Sequence, residues 1–162
     1  MEFLIKAFRF ARALKIAIFY PSAKSILDIG SGRGYTLYYL KKYFNFRDAV
    51  GIQISKNACK FSREKLGLKI IENDFLNVQF GGKKFDIITM THVLEHVSNP
   101  EKYVKKIFDT LNYHGKLIIE VPNFESWTSI LTKGYWLGLD MDYHVSFFTS
   151  GHLLSLLKKY CF

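Results

Sequence analysis

The sequence predicts an α/β protein in which helices cover a doubly wound, mostly parallel sheet. Its 162 residues fit one domain, and a composition of 49% hydrophobic and 23% charged residues is typical of a folded chain. Short apolar runs suited to buried strands alternate with segments of helical periodicity, which is the pattern of parallel strands joined by crossover helices. In such sheets, ligands bind beyond the carboxyl ends of the strands, where the strand order reverses.

Local signals place ten elements along the chain. Ser55 can cap a helix that Gly67 ends, Asn99 can cap one that starts with proline, and Ser150 can cap the last one. The predicted strands are residues 25–29, 49–54, 69–72, 85–90 and 116–121, and the predicted helices are residues 3–19, 35–44, 56–66, 100–112 and 151–160.

Composition and charge exclude several classes of protein. A net charge of +9 attracts the chain to anions without specifying which. Two cysteines, Cys59 and Cys161, form neither a disulfide framework nor a metal-ligand spacing, so we expect a reducing, cytoplasmic location. The apolar N-terminal segment is too interrupted for a membrane span or a signal peptide, because it carries four basic residues: Lys6, Arg9, Arg12 and Lys15.

A glycine-rich loop follows the first predicted strand, in the pattern Asp28-x-Gly30-x-Gly32-x-Gly34. Glycine removes the Cβ atom and tolerates positive φ, so a ligand can approach the backbone at the start of the next helix. A dinucleotide-binding fingerprint would need glycine where Tyr35 stands. The loop therefore indicates either another nucleotide-like ligand or only a tight turn.

Further motifs follow this loop in a fixed order, and together they resemble the class I S-adenosylmethionine-dependent methyltransferases over residues 24–160. They are Gly51-Ile52-Gln53-Ile54-Ser55, Asn73-Asp74-Phe75, Phe85-Asp86, Leu94-Glu95-His96 and Gly115-Lys116-Leu117-Ile118-Ile119. The resemblance implies an enzyme with a Rossmann-like sheet of five strands in the order 3-2-1-4-5. It also implies S-adenosylmethionine as cofactor. The similar branch includes quinone- and glycan-modifying O-methyltransferases.

The same resemblance implies a set of cofactor-binding residues. Asp28 would attract the ammonium group of the cofactor, Asp74 would accept a hydrogen bond from the adenine amino group, and Phe75 and Ile54 would flank the ring. Each carboxylate could instead serve only nearby backbone amides. The complete implied set is Asp28, Gly30, Ser31, Gly32, Gly34, Gln53, Ile54, Asp74, Phe75 and Thr91.

One position departs from the family's pattern. The second strand of such proteins normally ends in Asp or Glu, whose two oxygens accept hydrogen bonds from both ribose hydroxyls. Here the residue is Gln53, which offers one acceptor oxygen and a donor. Its hydrogen bond to a ribose would lack charge assistance and would be weaker.

The segment before the last helix supplies a catalytic candidate. By resemblance, a histidine in this segment lies near the acceptor, and an imidazole exchanges protons near neutral pH, so His144 is the candidate general base. It could alternatively anchor the loop. Neighbouring aromatic residues would form either an acceptor pocket or the loop's own small core: Trp127, Tyr135, Trp136, Tyr143, Phe147 and Phe148.

A cluster of potential ligands leaves a metal-dependent alternative open. His92, Glu95 and His96 follow the fourth strand. Small-RNA 2′-O-methyltransferases and some quinone-pathway enzymes of similar fold hold a divalent ion with Glu-x-x-Glu-His and a further ligand, a position that His144 could take. Metal-free relatives carry the same Leu-Glu-His-Val string, and we expect no metal.

The two ends of the chain carry separate expectations. We treat residues 1–22 as a basic amphipathic helix and residues 23–162 as the methyltransferase domain. The helix would pack its apolar side on the domain or over the cofactor, or bind an anionic membrane surface; nucleic-acid binding is disfavoured because the other lysines are scattered. Relatives usually add a terminal strand pair, so we expect a truncated chain whose fifth-strand edge is covered by a homodimer or a completing chain.

These observations together predict a methyltransferase acting on a small-molecule, lipid-linked or glycan acceptor, at oxygen. Two alternatives remain open: a catalytically weak cofactor-binding subunit, and a metal-dependent RNA 2′-O-methyltransferase.

Overall fold

A computed structural model describes residues 2–132, 135–136, 140, 143–160 and 162. The helices are α1 (Glu2–Phe19), α2 (Tyr35–Tyr43), α3 (Lys56–Leu66), α4 (Pro100–Thr110), α5 (Trp127–Thr132) and α6 (Ser150–Lys158). The strands are β1 (Ser25–Ile29), β2 (Asp48–Gln53), β3 (Lys69–Glu72), β4 (Phe85–Thr91) and β5 (Leu111–Glu120). All the strand pairs are parallel, and the order β3-β2-β1-β4-β5 confirms the predicted fold.

The helix-capping predictions are confirmed at two helices and wrong by one residue at a third. Ser55 Oγ accepts the Ala58 N–H, and Asn99 Oδ1 accepts the Lys102 N–H at 3.0 Å. At α6 the cap is Thr149, whose Oγ1 accepts the His152 N–H at 3.2 Å, and the predicted cap Ser150 is the first helical residue. Both residue types can cap a helix, so the sequence alone does not choose between neighbours.

The last strand begins earlier than the sequence predicts. Phe85 pairs with Leu111, but Ile87 pairs with Lys116, so the residues between 111 and 116 leave the regular ladder. In this irregular stretch, Asn112 Nδ2 donates to Asp86 Oδ1 at 2.7 Å. The polar and glycine residues 112–115 conceal the early start because they resemble a turn rather than a strand.

Strand residues alternate between two hydrophobic clusters, as the period of a β-strand requires. Leu27 and Ile29 of β1 belong to one cluster with Phe75 and Phe85. Ile26 belongs to the other, with residues of α1, α2 and α3. Helices therefore bury both faces of the sheet and leave its carboxyl edge available for a site.

Helix α1 contacts the domain with residues of both its apolar and its basic side. Ala13 and Ile16 are its buried residues, and Arg12 Nη2 lies 2.6 Å from Glu120 Oε2 at the end of β5. On the apolar side of the helix, the Phe10 ring packs 5.3 Å from that of Tyr39, whereas Phe3 and Ile18 are 82% and 64% exposed. The pair between Arg12 and Glu120 joins the basic side of the helix to the sheet, a contact that amphipathic periodicity cannot reveal.

Among the described residues, no helix is both long enough and apolar enough to cross a membrane.

Candidate functional site

A cavity of about 320 Å³ opens at the carboxyl edge of the sheet. The position matches the sequence expectation, because the strand order reverses between β1 and β4. Its lining residues are Ile29, Gly30, Ile52, Gln53, Ile54, Asn73, Asp74, Phe75, His92, Val93, His96, Val97 and Tyr103. Five of the residues implied by the resemblance are therefore brought together here: Gly30, Gln53, Ile54, Asp74 and Phe75.

The glycine loop is held against β2 by its backbone. The amides of Gly30 and Ser31 both donate to the Ile52 carbonyl, at 2.9 and 3.0 Å. Gly30 has a φ of +73°, and a Cβ atom there would overlap the side chain of Val93. Only glycine fits this position, since both the conformation and the close approach exclude a side chain.

Asp28 lies buried behind the loop and is 8% exposed. Its Oδ1 accepts a hydrogen bond from Thr89 Oγ1 at 2.7 Å. Burial raises the pKa of Asp28 to about 6, although the Thr89 hydrogen bond and the charges of Arg9 and Arg12 oppose this rise. A carboxyl with a pKa in this range gains and loses its charge near physiological pH, and a cationic ligand would favour the ionised form.

Asp74 sits at the cavity wall between two hydrogen-bond donors. Its Oδ1 accepts the Leu76 N–H, and its Oδ2 accepts the Tyr103 hydroxyl, both at 2.7 Å. Asp74 thus caps the short turn Phe75–Asn77, which is the alternative role that the sequence left open. The same residue also lines the cavity. Burial and Asp74 raise the pKa of Tyr103 far above its ordinary value, so Tyr103 stays a donor.

Two apolar residues stand at the same wall. Phe75 is buried at 1% exposure and supports the cavity from inside the core, whereas Ile54 is 73% exposed at its mouth. Such a pair can sandwich a planar ring, with one side fixed and the other adaptable.

Gln53 ends β2 with its side chain folded back on the backbone. Its Oε1 accepts the amides of Ile54 and Ser55, at 2.8 and 3.1 Å. The carboxamide nitrogen is the group left to meet a ligand. Gln53 can therefore donate a hydrogen bond into the cavity, whereas Asp or Glu at this position could only accept one when ionised.

Six of the predicted site residues do not line this cavity: Asp28, Ser31, Gly32, Gly34, Thr91 and His144. Ser31 Oγ is buried and has no hydrogen-bond partner within the described part of the chain. Thr91 is the half-buried last residue of β4. His144 contacts His96, which lines the cavity, and the centroids of the two rings are 4.8 Å apart.

Hydrogen bonds tie the segment around His144 to the loop after β4. The amides of Val145 and Ser146 donate to the Glu95 carbonyl at 2.8 and 3.0 Å, and His96 Nδ1 lies 2.9 Å from the Tyr143 carbonyl oxygen. A backbone carbonyl accepts only from a protonated nitrogen, so Nδ1 of His96 is the donor in this contact. Both histidines thus face the same region beside the cavity mouth.

The aromatic residues of this segment divide into two groups. Phe147 and Trp136 surround Phe124, with ring centroids 5.6 and 6.1 Å from it, and Phe148 is buried. The others are largely exposed: Trp127 at 80%, Tyr135 at 93% and Tyr143 at 71%. Phe148 belongs to the main core of the domain, whereas Phe124, at the centre of the other contacts, is 45% exposed.

Glu95, His96 and His144 bring one ligand atom each within 4.8 Å of one another. Glu95 is 2% exposed, its Oε1 lies 3.3 Å from His92 Nδ1, and its Oε2 has no hydrogen-bond partner among the described residues. Two imidazoles and one carboxylate suit zinc or iron better than magnesium. The geometry therefore fits a cation without requiring one.

Sequence reasoning did not assign several residues of this site, among them Tyr103, Val93 and Arg9. Tyr103, from α4, and Val93 line the cavity, and Arg9, from α1, acts electrostatically on Asp28. The helical period of α4 places Tyr103 on the buried face with Val104 and Ile107, which could have marked it as inward-facing.

Comparison with known proteins relates the chain to one protein family. The family model described as "methyltransferase domain" matches residues 3–162. An uncharacterised protein of Methanocaldococcus jannaschii is 33% identical over 101 residues, which are 62% of this chain and 46% of that protein. A carboxy-S-adenosyl-L-methionine synthase of Nautilia profundicola is 31% identical over 102 residues, 60% of this chain and 44% of that protein. The match therefore spans less than half the length of these curated relatives.

Solved structures extend the likeness to the whole fold. The plantazolicin methyltransferase in complex with SAH, the demethylated form of S-adenosylmethionine, shares 26% identity with a TM-score of 0.74. The alignment covers 97% of this chain and 63% of that one. Because the family model matches nearly every residue, the chain belongs to the methyltransferase domain family, and its recognition as a class I S-adenosylmethionine-dependent methyltransferase is confirmed.

Proposed function

We propose that this chain binds S-adenosylmethionine at the carboxyl edge of its sheet and catalyses transfer of the methyl group to a hydroxyl of a small-molecule, lipid-linked or glycan acceptor. One observation carries the proposal: the cavity at the strand-order reversal joins the glycine loop to Asp74 and Gln53. The SAH-bound structural relative supports the identity of the cofactor.

The chain's own residues divide the cofactor between them. Asp74 would accept from the adenine amino group, and Ile54 and Phe75 would hold the ring. Gln53 would donate to the ribose, and the loop from Gly30 to Gly34, with Ser31 and Gly32 between them, would lie along the amino-acid end. Asp28 would attract the ammonium group, and Thr91 would face the methionine portion.

The bound cofactor supplies an electrophilic methyl group on a positively charged sulfur. The protein's main contribution is to hold the acceptor in line with that carbon, since positioning alone lowers the barrier by several kcal/mol. The acceptor oxygen would take up this methyl group, and the electron pair of the carbon–sulfur bond would stay with the sulfur. The hydroxyl proton passes to His144, which acts as general base.

A methyl-transfer assay tests this proposal. Purified protein is incubated with methyl-labelled S-adenosylmethionine and an extract of lipids and small polar metabolites, and labelled products are identified by mass spectrometry. We expect an O-methylated product, about 100-fold slower turnover in His144→Gln, and unchanged SAH affinity in that variant. His152→Gln, an exposed histidine on α6, is the matched control. Tight SAH binding without any labelled product would instead favour the cofactor-binding subunit.

The cluster of Glu95, His96 and His144 favours a second candidate, metal-dependent transfer to an RNA 2′-hydroxyl. In that case a cation held by these residues would bind the acceptor oxygen. Metal analysis of the purified protein, followed by turnover on RNA before and after dialysis against a chelator, decides between the candidates. Turnover that resists the chelator excludes the metal-dependent one.

The outer surface of α1 supports a lipid-linked acceptor. Phe3, Phe8 and Phe19 are 82%, 73% and 72% exposed, and the chain carries a net charge of +9. Apolar side chains on a cationic protein favour contact with an anionic bilayer. We expect co-sedimentation with vesicles containing phosphatidylserine, and loss of binding when Phe3 and Phe8 are both changed to Ser. Equal binding of the variant would contradict the membrane contact.

A further inference from the structure

We propose that two copies of this chain pair through the open edge of β5, as antiparallel strands centred on Ile118. The sequence left two occupants open for this edge, a second copy or a completing chain, and the residues of β5 favour the second copy. The inference is independent of the proposed function, because residues 116–120 of β5 do not line the cofactor cavity.

The outer edge of β5 offers unpaired backbone groups. β5 ends the sheet, with β4 as its neighbour. The Glu120 carbonyl accepts the His92 amide at 2.8 Å, so the backbone groups of Glu120 face β4. Alternate residues of a paired strand direct these groups to the same side, so those of Ile118 also face β4, and those of Leu117 and Ile119 face outward. Within the described part of the chain, no hydrogen bond from another element reaches these outward groups. Such an edge is a template for a further strand.

Open cavities flank β5 on both faces of the sheet. Ile118 and Glu120 line one of about 440 Å³ beside α1, whereas Leu117 and Ile119 line one of about 480 Å³ beside α6. The same alternation assigns Ile118 to one hydrophobic cluster and its two neighbours to the other. Residues 117–119 are only half-buried, although strands of a sheet covered by helices are normally buried on both faces. The side chains of an added strand would enter the two cavities alternately.

The charges on β5 identify the occupant as a second copy. Lys116 and Glu120 are exposed and lie two residues on either side of Ile118. When two copies run antiparallel with Ile118 opposite Ile118, each Lys116 lies opposite Glu120 of the other copy, so both cross-strand pairs join opposite charges. Leu117 then lies opposite Ile119 of the other copy. Because both residues direct their backbone groups outward, they exchange two hydrogen bonds.

The neighbouring registers fit less well. Centring the pair on Leu117 or on Ile119 also matches outward backbone groups, but it places Lys116 or Glu120 opposite the apolar Ile118. A shift that opposes an outward-facing residue to one that faces β4 loses the hydrogen bonds altogether. The register centred on Ile118 is thus the one that satisfies the backbone and the charges together.

Both charged groups have capacity for this contact. Lys116 takes part in none of the ion pairs found among the described residues. Glu120 contacts Arg12 through Oε2, but its side chain is 50% exposed, so a second cation can reach it. Since the two β5 strands run in opposite directions, the cofactor cavities lie at opposite edges of the joined sheet and both stay open.

Sedimentation equilibrium over a hundredfold range of protein concentration tests the pairing. The measurement is made at about 0.15 M salt, because screening then limits the repulsion between two chains of net charge +9. We expect the wild-type mass to rise towards twice that of the monomer. Lys116→Glu places carboxylates opposite each other in both pairs, and we expect it to weaken the dimer by about 10-fold. Lys69→Glu is the matched control, because Lys69 is exposed on β3, the strand at the other end of the sheet, and it should leave the dimer unchanged.

Amide hydrogen exchange followed by NMR locates the interface. The amides of Leu117 and Ile119 should exchange more slowly as the dimer forms, whereas the Ile118 amide, which faces β4, should be protected in monomer and dimer alike. A monomer at every concentration would overturn the inference, as would a dimer that leaves the exchange of Leu117 and Ile119 unchanged. Unweakened association of Lys116→Glu would refute the register, and dissociation caused by Lys69→Glu would move the interface to β3.

Discussion

Under the proposed function, we expect the buried carboxyl of Asp28 to make cofactor affinity depend on pH. Its pKa of about 6 means that roughly a tenth of the free protein carries the charge at about pH 5, and most of it at about pH 7. The ammonium and carboxylate groups of SAH keep their charges over this interval. If the ammonium binds ionised Asp28, SAH affinity rises about tenfold from pH 5 to pH 7.

Ionisation of the same carboxyl lowers the stability of the folded chain. Its pKa rises from 3.8 to about 6 on folding, so the folded chain holds the proton more tightly than the unfolded chain. The contribution of Asp28 to the free energy of unfolding is therefore favourable below about pH 4 and is lost as the pH rises through 6. At about 1.4 kcal/mol per pKa unit, the loss at neutral pH amounts to roughly 3 kcal/mol.

The substitution Asp28→Asn separates these two effects. Asparagine keeps an oxygen acceptor for Thr89 Oγ1 but cannot ionise. We expect the free energy of unfolding at about pH 7 to rise by up to about 3 kcal/mol, while SAH affinity falls and loses its dependence on pH. Urea unfolding and calorimetry from pH 5 to pH 7 measure both.

Asp109→Asn, an exposed aspartate on α4, is the matched control and should change neither quantity. Wild-type affinity that does not vary between pH 5 and pH 7 would refute the reasoning. So would an Asp28→Asn variant that keeps the wild-type slope, because the titrating group would then lie elsewhere.

Three further substitutions test the cavity walls. Gly30→Ala should lower the free energy of unfolding by about 1–3 kcal/mol in urea, since the new methyl overlaps Val93 at a positive φ; a wild-type midpoint would contradict the close approach. Tyr103→Phe should lower the free energy of unfolding by about 1.5–3 kcal/mol, because it leaves one oxygen of Asp74 without its donor. A change below about 0.5 kcal/mol would mean that water replaces the hydroxyl. Gln53→Glu should tighten SAH binding several-fold in calorimetry by restoring a charged acceptor, whereas unchanged affinity would remove Gln53 from the ribose site.

The strands, caps and glycine loop could be predicted because each depends on neighbouring residues. Ser55 and Asn99 cap helices through bonds to amides three residues away, and Gly67 ends a helix with a φ of +61°. Such requirements appear in the sequence as a residue type at a fixed position. The choice of Thr149 over Ser150 shows the limit, since two adjacent residues satisfied the same rule.

Contacts between distant elements could not be predicted. Tyr103 meets Asp74 across 29 residues, only because α4 packs over the turn that Asp74 caps. The orientation of α1 depends likewise on Glu120, which is 108 residues from Arg12. Periodicity identifies the two sides of a helix, but it does not show which residues of a distant element each side contacts.

A crystal structure of the chain with SAH tests the central claim most directly. The account predicts adenine beside Asp74 between Ile54 and Phe75, with the amino-acid end along the glycine loop. Density for SAH at another surface, or an empty cavity at a saturating concentration of the ligand, would contradict it.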